Sequence, residues 1–61
     1  MPESTTSEVM TQLHKVVASL RIAQELMERH RGLFVREKAR EAGNAADIAD
    51  KWITGIIKDY S

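Results

Sequence analysis

The sequence predicts an all-α fold: an antiparallel helical hairpin that pairs with a second copy into a four-helix assembly. Three observations lead there. Apolar residues recur at steps of four and three, no strand-like alternation occurs anywhere, and a strong helix-breaking pair stands at Gly43-Asn44. The 61 residues make one small domain, 1–61, and a chain of this length buries only about 60% of its unfolded surface. There are no cysteines, so neither a disulfide framework nor a thiolate metal site can supplement the core. Regular helix packing, a ligand or association with another chain must supply the difference.

Taken in order, residues 1–5 read as a frayed lead-in holding the only proline. Thr5 and Glu8 have capping-box spacing, with Ser4 and Ser7 as alternative caps. The set Val9, Leu13, Val16, Leu20, Ala23, Met27, His30 and Phe34 then forms a heptad seam, widened by Met10 and Val17 on one flank and by Leu26 and Leu33 on the other. Because the seam keeps its phase through Gly32, one long helix is expected from about residue 6 to 42. The interior glycine costs about 1 kcal/mol relative to alanine. The alternative is three helices with a break at Gly32, where His30 and Arg31 would form a last turn. Gly43 suits a left-handed C-cap and Asn44 an N-cap, so a second helix is expected over about 45–60. Its apolar set is Ile48, Ala49, Trp52, Ile53, Ile56, Ile57 and Tyr60. Folding there would place Phe34 near Trp52, His30 near Ile57 and Met27 near Tyr60.

At a rise of 1.5 Å per residue the first helix would measure about 55 Å and the second about 24 Å. The short helix would leave Val9, Leu13, Val16, Val17 and Leu20 uncovered, forfeiting on the order of 1.5–3 kcal/mol each. These five are therefore the predicted dimer interface, paired with their symmetry mates.

The segment ERHRGLFVREKAR, residues 28–40, carries five of the nine Lys and Arg residues. On a helix, Glu25, Glu28, Glu41 and Glu37 stand within a turn of Arg29, Arg31, Lys38 and Arg40, leaving Arg36 without a local acid. The predominant reading is a solvated face laced with ion pairs. The alternative is a nucleic-acid-binding stripe of Arg29, Arg36 and Arg40. Nine acids balance nine bases, which argues against general attraction to nucleic acid or to an anionic membrane. A helix-turn-helix reading of Ala39 and Gly43 would bring Asp47 and Asp50 towards phosphates, which opposes docking. His30 is expected to pack in the seam and His14 to be solvated. No metal-ligand spacing, phosphate loop or nucleophile motif appears, so no catalytic residue, metal or cofactor is assigned. No apolar run is long enough for a membrane span or a signal-peptide core, and a soluble cytoplasmic protein is expected.

The segment EAGNAADIADKWITGIIKDYS looks similar to the last helix of the all-helical chorismate mutases, and LMERHRGLFVREKAR resembles the second half of that family's long first helix. The resemblance covers about half the chain. It implies an intertwined helical dimer, with Arg29 and Arg40 near a basic pair that binds substrate carboxylates. The family's middle helix, which supplies further substrate contacts, has no counterpart here. The reading that the residues themselves favour is a non-enzymatic interaction module, a regulator, adaptor or inhibitor. Its partners would be a second copy of itself and another protein. Trp52, Ile56 and Tyr60 are the expected anchors, and Arg36 an orienting charge.

Overall fold

The computed structural model describes residues 3–60, so Met1, Pro2 and Ser61 lie outside the described residues. Two helices, α1 over Thr6–Glu28 and α2 over Leu33–Asp59, account for nearly all of them, and no strand is present among the described residues. Thr5 caps α1 as its spacing with Glu8 predicts: the Thr5 hydroxyl accepts the Glu8 N–H at 3.1 Å.

The break between the helices is where the sequence argues less strongly for one. α1 ends at Glu28, the Arg29 and His30 N–H groups both donate to the Met27 carbonyl, and the chain turns through residues 29–32. Gly32 is the N-cap of α2 in an extended conformation, and its carbonyl accepts the Arg36 N–H at 3.1 Å. The expected helices over 6–42 and 45–60 are thus replaced by 6–28 and 33–59. Among the described residues there is also no third helix: α2 passes through Gly43-Asn44 without interruption.

Gly43 is not a left-handed cap, because no glycine among the described residues has positive φ. It is buried against α1, where a Cβ would stand 2.7 Å from Nε2 and 3.0 Å from Cδ of Gln24. The missing side chain is space that the Gln24 side chain fills. That contact offsets the propensity cost of a mid-helix glycine.

Gln24 beside Gly43, Arg21 beside Asp47 and Asp50, and a hollow shared by Val9, Ile56 and Tyr60 fix the antiparallel register. The 27-residue α2 therefore runs back along the whole of α1, and covers the stretch that a short second helix could not reach. Phe34, Trp52 and Ile57 lie on one helix, and Tyr60 lies at the open end near Val9 rather than beside Met27.

The packing is close but thin. The buried residues are Ala39, Gly43, Ala46, Ala49 and Ile53, all on α2, and no residue of α1 is buried. Met10, Leu13, Val17, Leu20, Gln24 and Met27 meet this small-residue stripe and stay half-buried. Their spacing is again four and three. The seam keeps Leu13, Leu20 and Met27 but pairs them with Met10, Val17 and Gln24 in place of Val9, Val16 and Ala23. Small side chains let two helices approach, yet each contributes little transfer free energy, on the order of 0.8 kcal/mol per buried methylene-sized group. Ile53 is the one large side chain in the core, and no large side chain is fully buried.

Candidate interaction surface

Each residue turns a helix by about 100°, which sorts the remaining side chains onto two broad faces of the hairpin. On one face a groove of about 400 Å³ is lined by Arg21, Gln24 and Glu28 from α1 and by Arg36, Arg40, Asn44 and Asp47 from α2. Arg21 bridges the helices here, donating to Asp50 at 2.8 Å and to Asp47 at 3.2 Å. The hydrogen bond to Asp50, then that to Asp47, holds the Arg21 guanidinium above its ordinary range. All three side chains remain about half exposed or more, so the clamp sets register more than it adds stability.

The opposite face is apolar. From α1 it presents Val9, Gln12, Val16, Ser19, Ala23 and Leu26, with Lys15 bordering the hollow that Gln12, Val16, Ser19 and Ala23 share. From α2 it presents Phe34, Ala45, Ile48, Trp52 and Ile56. Within the α2 stripe Lys38 and Glu41 pair at 2.8 Å, the Lys38 ammonium also sits 5.2 Å from the Phe34 ring centre, and Asp59 stands one heptad beyond Trp52. The Glu41 contact raises the Lys38 ammonium above its usual range. Large apolar side chains on this face are conspicuously bare: Phe34 is 69% exposed, Leu26 61% and Trp52 58%. Ile48 and Val16 are also exposed, Val9 marginally so, and Ile22 is exposed on the outer edge of α1.

The structure redistributes the residues that the sequence singles out. Of the predicted interface set, Leu13, Val17 and Leu20 pack half-buried within the chain, whereas Val9 and Val16 face outward on the apolar face. Trp52 and Ile56 lie on that same face, with Tyr60 exposed at its end. Periodicity did not single out Phe34 and Ile48 as surface anchors, because the seam drawn through Gly32 assigned Phe34 to the core. Arg36 lies on the other face, one turn from Arg40, and Arg29 sits in the turn without lining that groove.

The ion pairs expected along residues 28–40 form only in part. Lys38–Glu41 is present, while Arg29, Arg31 and Arg40 make no ion pair among the described residues. Nor is His30 a core residue: it is exposed in the turn, because the helix that would have buried it ends two residues earlier. Among the described residues no group of three or more His, Cys, Asp or Glu side chains is placed to hold a metal. No helix among them is long and apolar enough to cross a membrane. Compared with known proteins, the chain matches no family model, no curated protein and no solved structure.

Proposed function

We propose that the chain is a non-enzymatic helical interaction module that works as a homodimer, its apolar face closed against the same face of a second copy. The observation that carries this reading is excess surface. A compact monomer of 6.9 kDa exposes about 4,000 Å² by the usual size scaling, whereas this chain exposes 5064 Å². The excess, on the order of 1,000 Å², resembles what one partner contributes to a standard-sized interface, about 800 Å². Dimensions agree: the molecule measures 43 × 24 × 15 Å, so each broad face offers about 1,000 Å².

Self-association suits the chemistry of this face. It is largely apolar, its Lys38–Glu41 pair is internally neutral, and the whole chain has zero formal net charge, so no net charge opposes the approach of two copies. Stacked face to face, Val9, Val16 and Leu26 would be covered together with Phe34, Ile48 and Trp52, giving a four-helix assembly. As a regulator, adaptor or inhibitor, the dimer would then meet another protein through the helix surfaces left outside.

Trp52 is the only tryptophan and reports on this directly. Its emission should be blue-shifted at micromolar concentration and move to the red on dilution to nanomolar. Val16→Lys should hold it red-shifted throughout. A solvent-exposed emission that does not change with concentration removes the reading.

The nucleic-acid alternative draws on Arg36 and Arg40, which share a groove and have no ion pair among the described residues. Glu28 and Asp47 line the same groove and Arg21 is already neutralised, which gives mixed charge where phosphate binding needs a positive stripe. Absence of a gel shift at low salt eliminates this alternative.

A further inference from the structure

We propose that His30 is an acid-sensitive latch on the interhelical turn: the neutral imidazole holds the turn closed and its protonation releases it. The Gly32 N–H donates to His30 Nδ1 at 2.8 Å. The ring lies so close over Gly32 that a Cβ there would stand 3.0 Å from Nδ1 and 3.1 Å from Cε1. Gly32 is also the N-cap of α2, with no side chain of its own to cap the helix. The His30 N–H is held by the Met27 carbonyl in the last turn of α1, so its imidazole nitrogen links that end of the turn to the N-cap of α2.

The bond exists only while Nδ1 keeps its lone pair, with the ring proton on Nε2. Protonation makes both nitrogens donors. The Gly32 N–H then faces another N–H, and a cation sits at the positive end of the α2 dipole. The charged groups around the turn reinforce this. Arg29 and Arg31 flank His30, Glu28 ends α1, and Arg36 and Glu37 follow on α2, whose first turn contains no acid. None of these makes an ion pair among the described residues, so no carboxylate is seated to stabilise the imidazolium. Release of the latch would loosen the junction between Leu26 and Phe34, which border the turn on the apolar face.

The test is urea unfolding of the whole chain at pH 7.5 and pH 5.0, with the Gly32 amide followed by ¹H–¹⁵N NMR across the same range. His30→Asn places Oδ1 where Nδ1 stands, an acceptor that does not titrate. His14→Gln removes the other imidazole. Between the two pH values the folding constant of the natural chain should fall about fivefold more than that of His30→Asn, the size of one hydrogen bond. The His14→Gln chain should behave like the natural one. The Gly32 amide should shift with the His30 ring, and stay still in His30→Asn. Equal pH dependence in the natural chain and His30→Asn, or a Gly32 amide that ignores His30 titration, overturns the proposal.

Discussion

Gly43 of α2 faces Gln24 of α1 so closely that a Cβ would meet the glutamine amide at 2.7 Å. The atoms it would meet are the far end of a flexible side chain, and Gln24 is only half-buried. Gly43→Ala should therefore displace the amide and regain helix propensity, changing stability by less than about 1 kcal/mol in chemical denaturation. Gly43→Leu cannot be absorbed that way. Wedging the helices apart should cost about 1–3 kcal/mol. Equal stability for Ala and Leu at this position would show that the close approach is not what holds the hairpin.

Ile53 is the single large side chain in the buried set, at 6% exposure. Ile53→Ala should cost about 2–4 kcal/mol, measured by urea unfolding. In so thin a core that loss approaches global unfolding. A change below about 1 kcal/mol would mean that the α1–α2 contact contributes little.

Gly55 has nothing within 4 Å of its would-be Cβ and lies within α2. Gly55→Ala should stabilise the protein by about 0.5–1 kcal/mol through helix propensity alone. Destabilisation would reveal a neighbour at this position in the assembled state.

Arg21, with Asp47 and Asp50, is exposed, so salt should act on it strongly. Arg21→Ala should lower the Tm at low ionic strength and match the natural chain in molar salt. Hydrogen bonds to Asp50 and Asp47 raise the guanidinium, so its contribution is complete below the ordinary arginine range and is lost only as pH rises through the raised value. Changing pH near neutrality should leave the Arg21→Ala difference unmoved from the arginine side. A Tm difference that persists in molar salt would contradict a screened surface clamp.

The sequence made the all-α class, the Thr5 cap and the seam membership of Leu13, Leu20 and Met27 legible, since each follows from local spacing; that Leu13 and Leu20 pack within the chain and not in the expected interface depends on where the chain turns. Of the three glycines the sequence ranks two in the wrong order, placing the main break at Gly43 and only the alternative one at Gly32. Gly43-Asn44 has the composition of a helix break, but Gly43 lies buried within α2 against Gln24, nineteen residues away and invisible to local rules. At Gly32 the seam's unbroken phase favours an interior glycine over the alternative break, and the break is what occurs. The chain turns there with the His30 ring accepting the Gly32 amide, a contact that is not among the usual turn signatures. Once the break moves, the apolar face changes with it: Phe34 leaves the core, Val17 enters the seam, and Val9 and Val16 join Trp52 outside.

The proposed covering of that face by a second copy is tested most directly by sedimentation equilibrium of the whole chain. At micromolar concentration it should give twice the 6.9 kDa chain mass, and Val16→Lys combined with Trp52→Ala should shift the mass towards one chain. A natural chain that sediments as a fully helical, cooperatively folded monomer over the same concentrations would contradict it.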